Sequence, residues 1–264
     1  MLFSYKIADL VKILINSSYN SKHLIQKNII RGGISIVHVN NKPHLAIFSL
    51  GLIILFSSSM VAYSTSFTPQ LYLKDSSPYG TLYTDWIKKW WQWSVSLPKA
   101  EHPQTNPKTM CATKESGQVS FLVQNLQGRS HYSCTIPAKN AIMLPISTGS
   151  CTSIEAHSTK PADLLNCATI GDKYLTFKAT LDGIPLNNLE NNYATTNVFN
   201  MTVPNDNYEF LKGGTYPTGA GGYFIFLKPL PVGEHNLHVT ARVVNPTDPS
   251  FNFDYDTSFD LKVQ

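Results

Sequence analysis

Phe251-Asn-Phe-Asp-Tyr-Asp-Thr-Ser-Phe-Asp-Leu-Lys-Val263 alternates without a break between apolar or β-branched side chains and polar ones. A period of two places successive side chains on opposite faces of a strand. Phe251, Phe253, Tyr255, Thr257, Phe259, Leu261 and Val263 therefore form an inward face, and Asn252, Asp254, Asp256, Ser258, Asp260 and Lys262 an outward one. Upstream of the Asn245–Ser250 loop, His235, Leu237, Val239, Ala241 and Val243 share one face, with His238, Thr240 and Arg242 on the other. Joining the two apolar faces restricts the antiparallel register. One allowed register sets Arg242 opposite Asp254, a cross-strand pair worth about 0.2–1 kcal/mol.

The same period recurs further upstream. Val119, Phe121 and Val123 alternate, and Leu175, Phe177, Ala179 and Leu181 oppose Thr176, Lys178, Thr180 and Asp182, with Asp182-Gly183 as a turn. Lys139–Ser147 is a mostly apolar run, Val198–Val203 a further strand, and Gly213–Gly222 reads as a glycine-rich loop entering Tyr223–Leu227. Short strands, turn-rich links and no repeating helices predict a mainly β fold, a β-sandwich of jelly-roll or immunoglobulin-like type. One helix precedes it. In Asp85-Trp-Ile-Lys-Lys-Trp-Trp-Gln-Trp-Ser, Trp86, Trp90, Trp93 and Leu97 fall on one helical face, and Pro98 ends the run. That face predicts burial against a sheet. Trp91 falls off it, and with Tyr83 or Tyr79 it is the candidate for stacking on a sugar or touching a partner.

Ahead of this domain, Leu45–Phe56 is apolar, and the segment from Pro43 to Leu73 carries no Asp, Glu, Lys or Arg. The upstream flank has Lys6, Lys12, Lys22, Lys27, Arg31 and Lys42 against Asp9. A signal-peptide core takes about 7–15 apolar residues and a spanning helix about 20. The run fits a signal segment over 45–64, with cleavage expected after Ser64. The alternative is an uncleaved anchor whose residues 45–63 hold the protein to the membrane. By the positive-inside rule the rest is extracytoplasmic, secreted or anchored. Residues 1–44 are either a basic cytoplasmic leader or the product of a start assigned too far upstream, and residues 65–264 form a single exported domain. Residues 45–264 hold 15 basic and 16 acidic groups once that leader is set aside. Such a balance lacks the footprint of a nucleic-acid binder.

Cys111, Cys134, Cys151 and Cys167 all lie in the exported part. An even number in an oxidising space predicts structural disulfides. Of the three pairings, Cys111–Cys134 and Cys151–Cys167 are expected because each staples a local segment. No Cys-x-x-Cys spacing points to redox or zinc chemistry.

Other residues suggest chemistry less directly. His102, His131 and His157 would form a copper or zinc site if the fold brought them together. Asp254, Asp256 and Asp260 share one strand face, and two carboxylates two residues apart, as Asp254 and Asp256 are, sit about 6.5–7 Å apart; that spacing suits Ca²⁺ with loop oxygens, or the acid–base pair of a glycosidase. No cofactor is expected beyond these two readings. The glycine-rich stretch lacks the Gly-Lys-Ser/Thr ending of a phosphate loop. Asn200-Met-Thr202 is a glycosylation sequon.

Several stretches together resemble a family of uncharacterised exported bacterial and archaeal proteins. They are Tyr79-Gly80, Trp90-Trp-Gln-Trp-Ser94, Cys111, Val119-Ser-Phe-Leu122, Cys134-Thr-Ile-Pro-Ala-Lys-Asn-Ala-Ile-Met-Leu-Pro145, Cys151, Leu181-Asp-Gly183 and Ala220-Gly-Gly-Tyr-Phe-Ile-Phe-Leu-Lys-Pro-Leu-Pro-Val-Gly-Glu-His235. The match spans residues 79–264. It departs at Asn140, where a Gly-Lys is usual before the apolar run, and at Gln118-Val-Ser-Phe121, where a Trp-containing strand is usual. The resemblance implies export, disulfides and a sandwich, and carries no catalytic residues. The expected role is a non-enzymatic binding or cell-surface module whose partner is a carbohydrate or an envelope protein. The alternatives are an exported hydrolase acting on carbohydrate and a metal-binding accessory protein.

Overall fold

The computed structural model describes residues 68–106, 111, 113–247, 249 and 252–264, all within the compact unit Tyr63–Gln264. The signal or anchor segment, its cleavage point and Phe251 lie outside the described residues.

In chain order, helix α1 (Tyr83–Ser96) is followed by β1 (Thr113–Ser116), β2 (Val119–Leu122), β3 (Gln127–Ile136) and β4 (Ala141–Thr152). A short helix, α2 (Pro161–Ala168), leads to β5 (Leu175–Leu181), β6 (Ile184–Pro185), β7 (Tyr193–Thr195) and β8 (Phe199–Val203). Three long strands close the chain: β9 (Gly214–Leu227), β10 (Gly233–Val243) and β11 (Phe253–Val263). Sheet A runs β1-β2-β4-β9-β7 with β8 also on β9, and sheet B runs β3-β11-β10-β5-β6. Both expected disulfides are present, Cys111–Cys134 and Cys151–Cys167. The first ties the segment before β1 in sheet A to β3 in sheet B, which closes one lateral side of the sandwich.

The β10–β11 hairpin takes one of the allowed antiparallel registers. Arg242 stands opposite Asp254, and Leu237, Val239, Ala241, Tyr255, Phe259 and Leu261 enter the core between the sheets. Asp182 and Gly183 both take positive φ, 53° and 76°, as a two-residue hairpin turn requires. The Asp182 carboxylate then holds the neighbouring hairpin, accepting the Asn236 N–H at 2.8 Å and pairing with His235 Nδ1 at 2.7 Å.

Three features depart from the period-two reading. First, β2 and the first half of β4 are buried on both faces. Side chains such as Ile142 and Leu144 face sheet B, while Ala141 and Met143 face outward and are roofed by α1. Second, most of Gly213–Gly222 is not a loop: Gly214–Gly222 is the first part of β9, paired with β8, β7 and β4. Gly219 in this stretch, and Gly149 of β4 beside it, are needed because α2 lies directly on the sheet. A Cβ on Gly219 would fall 3.1 Å from the Leu164 backbone, and one on Gly149 of β4 would fall 2.0 Å from the Ala168 carbonyl oxygen. Third, β2 pairs with β4, and β11 with β3, in parallel. Pro145 sits in the middle of β4 beside an irregularity in the β4–β9 ladder, where a missing N–H is tolerated.

Candidate functional site

The tryptophan helix is structural. Trp86, Trp90 and Trp93 pack inward as their spacing predicts, on Phe121, Phe224 and Phe226. Trp91 corrects the expectation of an exposed ring: only 4% of its surface meets solvent. Its indole stands edge-on to Trp90, with centroids 5.2 Å apart, and its Nε1–H donates to Thr148 Oγ1 at 3.1 Å. The cavity beside it measures about 20 Å³, room for one water and not for a sugar. Tyr83 is buried too, with its hydroxyl donating to the Phe224 carbonyl. Tyr79 is half-buried and edge-on to Tyr72. The reason is geometric: sheet A is broad enough that both sides of the helix find a partner. Gln92 completes the docking. Its side-chain amide donates to the Thr202 carbonyl and accepts the Thr202 N–H, at 2.7 and 2.9 Å, and so stands in for a strand on the outer edge of β8.

At the C-terminal end of α1, Ser94 Oγ lies 3.1 Å from His102 Nε2, and His102 stacks on Tyr208 at 3.6 Å. All three side chains are buried. The pair looks like a nucleophile and its base, but the proton runs the wrong way. The Gln104 N–H donates to His102 Nδ1 at 3.2 Å. Nδ1 is therefore the acceptor nitrogen, and Nε2 carries the hydrogen, which it donates to Ser94. A serine nucleophile needs an imidazole that accepts. The cluster is a buried clamp between α1 and the Pro204–Leu211 segment, whose own shape is held by Asn207 bonding both Pro204 and Leu211.

Burial pushes His102 down to about 4, so the folded state refuses a proton that the unfolded chain accepts. Its stabilising effect is complete above the unfolded value and is lost as pH falls from about 6.5 toward 4. Nearby Glu209 is raised by burial to about 7 and acts in the opposite sense, losing stability as pH rises. Glu209 keeps some contact with solvent, so its effect is the smaller. Comparing wild type with His102→Gln isolates the histidine. The stability gap between the two should grow by about 2 kcal/mol from pH 4.5 to pH 6.5, read from urea midpoints. A gap that stays constant over that interval would show that His102 titrates normally.

The broad free surface is the outer face of sheet B. His131 on β3, Ser258 on β11 and His238 on β10 form one cross-strand row. The two imidazoles reach diagonally away from Ser258. His238 Nε2 meets Asp256 Oδ1 at 2.7 Å, and His131 Nε2 meets Asp260 Oδ2 at 2.9 Å. Arg129 Nε lies 3.5 Å from Asp256 Oδ2, Asn236 Nδ2–H donates to Asp260 Oδ1 at 2.9 Å, and Arg242 faces Asp254 at 3.9 Å. Arg129, Ser130, His131, Asp256 and Ser258 line a shallow open depression. Exposed pairs of this kind add about 0–1 kcal/mol each to stability.

These contacts bear on the metal and acid–base readings. Asp256 and Asp260 each have both oxygens engaged by neighbouring side chains, and Asp254 faces Arg242. His102, His131 and His157 are not brought together. His102 is buried beside α1, His131 lies on the exposed face of sheet B, and His157 occupies an exposed turn at φ 49°. Among the described residues no group of three or more His, Cys, Asp or Glu is placed to hold a metal ion. His235 and His238 do point to different surroundings, toward Asp182 and Asp256. Asn200 is exposed on β8. The sequence could not reveal the His131–Ser258–His238 row, because parallel pairing of β3 with β11 joins residues 127 positions apart in the chain.

No family model and no curated protein matches the chain. Among solved structures, a cysteine protease inhibitor from Entamoeba histolytica aligns at 9% identity and a TM-score of 0.22, over 55% of this chain and 94% of that one. The solution structure of Amebosin aligns at 11% identity and a TM-score of 0.18, over 52% and 98%. Scores this low carry no inference. The two disulfides fit an oxidising, extracellular setting. Among the described residues no helix is long and apolar enough to cross a membrane.

Proposed function

We propose that the protein is an extracytoplasmic, non-enzymatic binding module that presents the outer face of sheet B to a neutral polysaccharide of the cell envelope. It is either released after residue 64 or held to the membrane through residues 45–63. The observation that carries this reading is the internal pairing of charge on that face. Asp254 and Asp256 stand against Arg242 and Arg129, while the His238 and His131 imidazoles hydrogen-bond Asp256 and Asp260. A face so balanced steers neither a polyanion nor a polycation. What it offers is a flat array of imidazole, guanidinium, hydroxyl and amide edges, which suits the hydroxyls of an extended sugar chain. Sheet A cannot serve in the same way, since α1 and α2 cover its outer side.

The test is retention of purified protein on insoluble neutral polysaccharides (cellulose, chitin, β-glucan) and on the wall polysaccharide of its own host. Binding should survive raised salt and weaken at least tenfold in Arg129→Ala/His131→Ala. Absence of retention on every matrix, or binding abolished by salt, would overturn the proposal. Progressive release of reducing ends would do so in favour of the hydrolase.

A further inference from the structure

An aromatic cluster lies where the two sheets part on the side of β5 and β7. Tyr193 on β7 and Tyr223 on β9 belong to sheet A and stand opposite each other in register, ring centroids 4.9 Å apart at 53°. Phe177 on β5 of sheet B meets Tyr223 at 5.1 Å and 49°. All three are only half-buried, so ring surface stays open to solvent at the lateral mouth of the sandwich.

Asp172 opens the short 3-10 turn Asp172–Tyr174 that links α2 to β5. Its carboxyl interacts with the Tyr193 hydroxyl, and its charge is felt at both Tyr193 and Tyr223. Its Oδ2 is shut off from solvent and has no hydrogen-bond partner. None of the ion pairs among the described residues includes Asp172. The adjacent Lys173 does not supply one, for its Nζ lies 4.7 Å over the Tyr174 ring. The carboxyl thus sits beside aromatic rings with no cation of its own, and burial raises it to about 6.

Aromatic rings turn a negative face toward whatever lies above them, and a cation within about 6 Å of a ring centroid is attracted. A carboxylate lacking a counter-charge adds a second attraction of the same sign. A hydrated metal ion gains little from a phenyl face, whereas an alkylated ammonium group keeps its charge and sheds little water on meeting one. We propose that Asp172, Tyr193, Tyr223 and Phe177 form a binding site for an organic cation of the methylated-ammonium class. The site shares no residue with the outer face of sheet B, so it stands independently of the polysaccharide reading.

Choline and 3,3-dimethyl-1-butanol have nearly the same shape and differ in charge. NMR titration of the full domain with each separates the proposal from simple apolar contact, and the wild-type protein suffices. Choline should shift the Tyr193, Tyr223 and Phe177 ring resonances saturably in the millimolar range, and the neutral alcohol at least tenfold more weakly. The isosteric Asp172→Asn should weaken choline tenfold or more while leaving the remaining spectrum in place. Equal shifts from both compounds, shifts that do not saturate, or an Asp172→Asn protein that binds choline as wild type does would each overturn it.

Discussion

Trp90→Ala should lower the stability of the domain by about 3–5 kcal/mol, the range for emptying a fully buried large aromatic site. Only 1% of Trp90 is exposed. Its ring touches Trp91, Trp93 and Phe224 edge-on, with centroids 5.2, 6.2 and 5.9 Å away. Its Nε1–H donates to the Leu122 carbonyl at 2.8 Å, joining the helix to β2. The cavity would open between rings that sheet A holds apart, so collapse offers little relief. Trp90→Phe keeps most of the ring and loses the hydrogen bond, which leaves a buried carbonyl unpaired at a cost of about 1–3 kcal/mol. Urea unfolding followed by far-UV circular dichroism reads both without relying on tryptophan emission. A loss under about 1.5 kcal/mol for the alanine variant would place α1 outside the cooperative unit.

Gly149→Ala should be the more damaging of two outwardly mild changes. An alanine Cβ there would stand 2.0 Å from the Ala168 carbonyl oxygen, closer than any side chain can lie. Backbone faces backbone, so no rotamer relieves the clash and α2 must lift. Cys151–Cys167 ties that helix to β4 two residues away and limits how far it can move. The expected loss is at or above the upper end of the ~1–3 kcal/mol usual for overpacking. Gly171→Ala is the control. Gly171 has ordinary φ, −87°, and nothing within 4 Å of the added carbon. It should be neutral or stabilising by about 0.4–1 kcal/mol, through the unfolded chain. Equal stability of the two variants, measured side by side in urea, would show that α2 does not rest on the sheet as described.

The sheet B hairpin was legible residue by residue because one of its faces meets water. Alternation in residues 253–263 records a strand with a wet side and a dry side, and it narrows the hairpin to a few registers, of which the fold takes the one that sets Arg242 opposite Asp254. The same reasoning failed on β4 and β9. Both are dry on two sides, and a strand buried twice has no polar partner to mark its period. The glycines of β9 read as a loop for a related reason. Glycine signals flexibility in isolation, but beside α2 it signals that another backbone needs the space. The candidate sites show the same division. Helical spacing sets Trp91 off the buried face of α1, but spacing states direction and not what lies there. The His–Asp rows and the Asp172 cluster draw on residues from strands distant in sequence, so no local pattern announces them.

Taken alone, the amino-acid order determined the strand content, the inward face of the aromatic helix, the paired cysteines and the near-neutral charge of the domain. Each is local: a period, a spacing or a sum. Tertiary structure alone decided which sheet is roofed and which is bare, where imidazoles meet carboxylates, and which carboxyl is left without a cation. Accessibility and pairing depend on what packs against a residue from elsewhere in the chain, and parallel pairing with a second layer creates neighbours that no window of sequence contains.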